Sequence, residues 1–179
     1  MSTNAVATNT ALDAALPDGR WTLDPSRSTA SFTAKGTWGL IPVNGSFKRM
    51  RGQLEIAGGV PSGGFVVEAD SLDTGNAKRD THLRSADFFD VDRHAEVVFR
   101  PKVLRSGPDG GASAEGILTV RTVAHRVTFD LTVTELDGGD LRVTGSTRVE
   151  RANVGLTWNK MGMMRGDVGL SVDAYLVQA

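Results

Sequence analysis

From Trp21 onward, apolar and polar residues alternate with period two. In "VTFDLTV", Val127, Phe129, Leu131 and Val133 alternate with Thr128, Asp130 and Thr132. In "VGLSVDAYLV", Val168, Leu170, Val172, Ala174 and Leu176 share one face, and Ser171, Asp173 and Tyr175 the other. The same rhythm places Ala30, Phe32 and Ala34 together, then Gly52, Leu54 and Ile56, then Phe65, Val67 and Ala69. It continues through Ala95, Val97 and Phe99, through Gly116, Leu118 and Val120, and through Leu141 and Val143. Strict alternation is the mark of a half-buried antiparallel strand. "AGGVPSGG" (57–64), "SGPDGG" (106–111) and "DGG" (137–139) supply the turns between strands. About eight evenly spaced strands predict an all-β sandwich or an up-and-down barrel. An eight-stranded barrel has an interior that side chains fill or that holds one small ligand.

One stretch breaks the alternation. "TGNAKRDTHLRSADFF" (74–89) is rich in Ala, Arg, Lys and Leu, which are good helix formers. Thr74 or Asn76 can cap its start, and Asp80 and Arg84 stand four apart in the favourable orientation. This predicts one principal helix over about residues 75–88, lying across a barrel end and anchored at its close by Phe88 and Phe89.

Ahead of Trp21 the alternation is absent. Residues 1–20 read as a flexible arm with a short helical piece at Ala11 to Leu16, and 21–179 as the folded domain. No basic stretch precedes a continuous apolar run, so the expectation is a cytoplasmic protein, or a periplasmic or secreted one if its start was trimmed. No window has the apolar length of a membrane span; transient membrane contact stays open.

Composition narrows the chemistry. The 179 residues carry a net charge of −1, which gives no bulk attraction to nucleic acid. With no cysteine, disulfides, thiolate zinc sites and cysteine nucleophiles are excluded. Asp80, His82 and Ser85 are triad residue types, but on a helix Asp80 points away from the face that His82 and Ser85 share. No G-x-S-x-G elbow accompanies them. His82, His94 and His125 lack metal-binding spacing, and Asp90, Asp92 and His94 begin a calcium-like loop that no Gly or Glu completes. Neither a catalytic group nor a metal site is expected.

Four segments, in order, resemble the YceI-like family of lipocalin-shaped, polyisoprenoid-binding proteins. "WTLDPSRSTASFTAKGTWGLIPVNGSFKRMRGQLEI" (21–56) opens with the family's aromatic-x-[LI]-D-x-x-[HR]-S pattern, and "ADSLDTGNAKRDTHLRSADFFDVDRHAEVVFR" (69–100) is its most specific stretch. "GILTVRTVAHRVTFDLTV" (116–133) and "RVERANVGLTWNKMGMMRGDVGLSVDAYLV" (148–177) resemble its hairpin and its closing segment. Thr122 and Ala124 stand where the family has Gly and Thr, so the hairpin turn is expected to differ in shape; Arg27 replaces a frequent His.

The resemblance implies an eight-stranded antiparallel, lipocalin-like barrel with a helix at its end. Its apolar pore would hold a polyisoprenoid, such as an isoprenoid quinone or a polyprenyl (pyro)phosphate, as ligand rather than cofactor. Wall candidates are Phe32, Trp38, Leu54, Phe65, Leu118, Phe129, Leu131, Trp158, Met161, Met163 and Leu170; head-group candidates are Arg79, His82 and Arg84. Small residues such as Ala30, Ala34, Gly52, Gly116, Gly145 and Ala174 either open the lumen or let the barrel coil tightly. Two alternatives stand beside a carrier or store: an enzyme on an apolar substrate using His82 or His125 as acid–base, and a filled barrel. A homodimer is a further expectation, although a closed barrel has no edge that demands one.

Overall fold

Each alternating stretch forms a strand, and the turns fall at the Gly, Pro and Asp punctuation. The computed structural model describes residues 15–36, 40–108, 111–159 and 165–179, so Trp38, Met161 and Met163 lie outside the described residues. The strands are β1 (Gly19–Leu23), β2 (Thr29–Gly36), β3 (Ile41–Phe47), β4 (Met50–Ala57), β5 (Val60–Glu68) and β6 (Leu72–Asp73). Helix α1 (Ala77–Arg84) follows, then β7 (Glu96–Ser106), β8 (Gly111–Val120), β9 (Val123–Glu135), β10 (Leu141–Glu150) and β11 (Arg165–Gln178). No helix among the described residues is long and apolar enough to cross a membrane.

All pairings are antiparallel, and the eleven segments make eight staves. β1 and β2 form one interrupted stave, because both pair with β11, at opposite ends of it. β3 and β4 form the next, pairing with β2 and β1, and β5 and β6 the third, pairing with β4 and β3. β7 to β11 complete an up-and-down circuit that β1 closes against β11. This is the eight-stranded barrel that the alternation and the family resemblance lead one to expect.

The interruption between β1 and β2 falls on "DPSRS". Asp24 N–H donates to Tyr175 O at 2.8 Å. Tyr175 N–H donates to the buried Ser28 hydroxyl at 2.9 Å, where a regular strand would offer a carbonyl. Asp24 accepts from Ser26 N–H (2.9 Å), Ser26 Oγ (2.6 Å) and Arg27 Nε (2.7 Å), fixing the turn. Arg27 goes on to Asp140 at 2.9 Å and lies over the Tyr175 ring.

The core is the barrel interior. Trp21, Leu23, Leu54, Ile56, Leu118, Val127, Phe129, Leu141 and Leu176 belong to its main cluster, and Phe32, Phe47 and Leu72 form a second one near α1. Large side chains lie across glycines of the neighbouring strand: Phe32 over Gly45, Phe65 over Gly52, Phe99 over Gly116 and Leu131 over Gly145. A Cβ at any of these would overlap the side chain above it. Gly52, Gly116 and Gly145 therefore make room for neighbouring side chains and do not open the lumen.

The packed region also begins before Trp21. Ala15 and Leu16 are buried and β1 starts at Gly19, so the end of the expected 1–20 arm is part of the barrel. The β8–β9 turn has two residues, with positive φ (54°) at Arg121 and not at Thr122. That left-handed conformation is costly for a non-glycine, and Arg121 Nη1 is tied to Phe88 O at 3.2 Å.

Two outcomes follow. Ser28→Ala leaves the Tyr175 amide without its acceptor in the closing seam, so chemical denaturation should show a loss of about 1–3 kcal/mol, largely restored by Ser28→Thr. The Asp24 carboxyl is lowered from 3.8 to about 2, chiefly by Ser26 and then by Arg27. A depressed carboxyl stabilises above its unfolded value and loses that contribution as pH falls through the folded one. An NMR titration should place Asp24 near 2 and move it upward in Ser26→Ala.

Candidate ligand cavity and its helical cap

The stretch "RDTHLRSADFF" forms the cap at one barrel end. The Asn76 side chain accepts from Arg79 N–H at 3.0 Å and caps α1, one of the two caps expected. The helix ends at Arg84, earlier than expected, where the Ser85 hydroxyl donates to His82 O at 2.6 Å. Turns then carry the chain to buried Phe88 and half-buried Phe89, whose ring packs edge-on against Phe47 at 5.8 Å.

The polar residues of the cap bind the chain around them. Asp80, buried, accepts from Thr74 N–H at 3.0 Å and Thr74 Oγ1 at 2.5 Å. Arg79 donates to Thr74 Oγ1 at 2.8 Å and Thr74 O at 3.0 Å. Arg84 donates to Asp70 O at 2.9 Å and Leu72 O at 2.5 Å. The expected Asp80–Arg84 pair is thus replaced, because each group satisfies main-chain atoms at the junction of β6 and α1. His82 Nε2 lies 3.0 Å from Asp87 Oδ2, and its ring meets Trp158 edge-on at 4.7 Å. Asp80, His82 and Ser85 make no triad: the imidazole faces Asp87, and the Ser85 hydroxyl serves a carbonyl.

Among the described residues, two cavities lie inside the barrel. The first, about 160 Å³, is bounded by Ala30, Met50, Leu54, Phe65, Leu104, Ala114, Phe129, Leu131, Val143, Ala174, Leu176 and, from the N-terminal side, Leu16. The second, about 100 Å³ and beneath the helical cap, is bounded by Phe32, Ala34, Leu83, Phe88, Phe89, Val149, Val154, Leu156, Val168 and Arg151. Both touch Phe47, Val97 and Leu170, so these three form a waist between two adjoining voids.

Of the expected wall residues, Leu54, Phe65, Phe129 and Leu131 line the first cavity, Phe32 the second and Leu170 both. Leu118 is buried in the main core cluster without bordering either void. Trp158, in the connection after β10 where alternation no longer applies, packs on His82 and Phe88 instead. Arg79, His82, Arg84 and His125 border neither cavity. Sequence reasoning missed Phe47, Met50, Val97 and Leu104 as wall residues, and Leu16 as a lining residue supplied from ahead of β1. Phe47 and Met50 flank the β3–β4 break, where inward positions do not continue in step; Val97 was in the alternating set but was not singled out.

Arg151 is the charged side chain among the residues lining these cavities. Its Nη1 donates to Leu156 O at 3.1 Å and Trp158 O at 2.7 Å. Burial lowers its guanidinium pKa from the ordinary value, yet an arginine remains cationic at neutral pH. Three further groups cluster beside the cap: buried Asp90 lies 3.9 Å from His94 Nε2 and 4.0 Å from Arg121 Nη2.

Comparison with known proteins places this architecture. The family model of the YceI-like domain matches residues 21–176. A UPF0312 protein of Ectopseudomonas mendocina is 34% identical over 86 residues, 46% of this chain and 45% of that protein, so the match spans less than half of that relative. The crystal structure of Burkholderia cenocepacia BcnA superposes with a TM-score of 0.76 at 19% identity, over 86% of this chain and 98% of that one. A polyisoprenoid binding domain from Saccharophagus degradans, implicated in plant cell wall breakdown, superposes with a TM-score of 0.73 at 15% identity, over 89% and 98%. At these identities the two structures show a shared fold.

Replacing Arg84 by Met keeps its apolar stem and removes the donors to two carbonyls. Charged hydrogen bonds contribute about 1.5–3 kcal/mol, so Arg84→Met should destabilise by about that amount in denaturant titration. Hydrogen exchange should rise first in α1 and β6.

Proposed function

The chain belongs to the YceI-like family, and on that premise we propose that its barrel binds a long-chain polyisoprenoid lipid, as carrier or store. An isoprenoid quinone or a polyprenyl (pyro)phosphate has the required form, an apolar chain with one polar end. The observation that carries this reading is the pair of adjoining apolar cavities running from Leu16 to the helical cap.

Apolar burial and dispersion would drive binding. At about 0.8 kcal/mol per buried CH₂, a five-carbon unit contributes at most about 4 kcal/mol, and ordering the flexible chain offsets much of that. A dry apolar cavity of about 150 Å³ takes up benzene, so the first void, about 160 Å³, has room for about one prenyl unit. A longer chain requires the Phe47, Val97 and Leu170 waist to turn aside and join the voids. Met50 beside it is unbranched and adapts readily to such a change.

The Thr74, Asp70 and Leu72 bonds of Arg79 and Arg84 support a bracing role for these two residues. Contact with a ligand head would require those bonds to open. His82, at the outer side of the cap, is the remaining head-group candidate of the three.

Native purification, solvent extraction and mass spectrometry should recover a polyisoprenoid. A protein that is reproducibly empty and binds no added polyprenyl lipid would contradict the proposal. Ala114→Phe places a ring in the first void, so it should lower polyprenyl affinity tenfold or more while preserving the β-type circular dichroism spectrum.

A further inference from the structure

We propose that Leu16 is the stop that limits how far a ligand chain reaches into the barrel, and so selects its length. This deepens the lipid-binding reading and rests on it. The Leu16 side chain, only 4% exposed, lines the cavity of about 160 Å³. Leu16 comes from the segment ahead of β1 and is no part of the barrel wall, so it blocks the lumen from the end rather than the side.

The blocking segment is tied down. Trp21 Nε1 donates to Pro17 O at 3.2 Å. Asp18 accepts from Gly58 N–H at 2.7 Å and Gly59 N–H at 3.0 Å. Both glycines have positive φ (59° and 77°), a conformation that turns two successive amides toward one carboxylate. Pro17 is thus tied to β1 and Asp18 to the turn after β4, and together they hold Leu16 in place. The family match starts at Trp21, so this stop lies outside the part of the chain that the family model describes.

Charge sets the ligand's direction. Arg151, the charged residue among the lining of the two cavities, stands at the opposite end, beneath the cap. The guanidinium is held by Leu156 O and Trp158 O, but its positive charge still makes that end more favourable for the polar or anionic head of an amphiphile than the apolar end bounded by Leu16. That leaves the apolar tail pointing toward Leu16. Once the tail meets Leu16, additional prenyl units add length without adding buried surface, and affinity stops rising.

The 179-residue chain, stripped of lipid, would be titrated calorimetrically with prenyl alcohols of increasing unit number. Affinity in the wild type should climb with each unit and then level. In Leu16→Ala the levelling point should move up by one unit, with about a tenfold gain for the first prenol past the wild-type limit. In Leu16→Trp it should move down. Asp18→Ala, which releases the segment but keeps the leucine, should also admit longer chains; if the Leu16 variants fold poorly, it decides by the same criterion. An unchanged levelling point in the folded variants overturns the stop and leaves lipid binding standing. Failure of the wild type to bind any prenol overturns both.

Discussion

The barrel depends on how β11 shares one edge between two partners. Its first part pairs with β2 and its last residues with β1. Between them the stave is broken, and an unpaired amide in that seam would be costly. The Asp24 amide and the Ser28 hydroxyl complete the ladder around Tyr175. The break lets one stave bend while remaining hydrogen-bonded, and the β3–β4 and β5–β6 breaks beside it follow the same bend. Arg27 and Arg142 flank the Tyr175 ring from outside and engage Asp24, Asp140 and Asp173. Such exposed pairs add little individually, but here they gather over the seam.

Inside, the size of the lumen follows from pairing large residues with glycines. A phenylalanine lying across a neighbouring glycine stays near the wall, and what remains along the axis is two modest voids. The lining is apolar apart from a few small polar groups and Arg151, so selection of the proposed ligand would rest on shape. The helical cap contributes rigidity: Asp80, Arg79 and Arg84 fasten α1 to the chain just before it through main-chain atoms. The cap accordingly behaves as a built part of the barrel end.

Much of the fold was legible in the sequence because inward positions keep parity along β8 to β10 and through most of β11. In β7, by contrast, the register shift between Pro101 and Val103 turns Leu104 inward out of step with Val97 and Phe99. Phe129, Leu131, Leu170 and Leu54 could be assigned to the interior from alternation alone. Parity fails where staves are interrupted, and Phe47, Met50 and Leu16 sit at or before such interruptions. Bordering a void is a stricter condition than facing inward: Leu118 has the right parity but is enclosed by neighbours. On α1, residue types suggested ion pairing between Asp80 and Arg84, whereas the demand of nearby carbonyls and amides for partners prevailed. No local pattern announces such a demand, since it arises from where β6 ends.

The waist formed by Phe47, Val97 and Leu170 also has a volumetric consequence. Empty apolar voids are space that unfolding eliminates, and pressure favours the state of smaller volume. The unliganded barrel is accordingly the more compressible form, with its softness concentrated on either side of three side chains. A chain threaded past them would replace void with matter and stiffen the molecule along its axis, so that occupancy could be read from resistance to hydrostatic pressure.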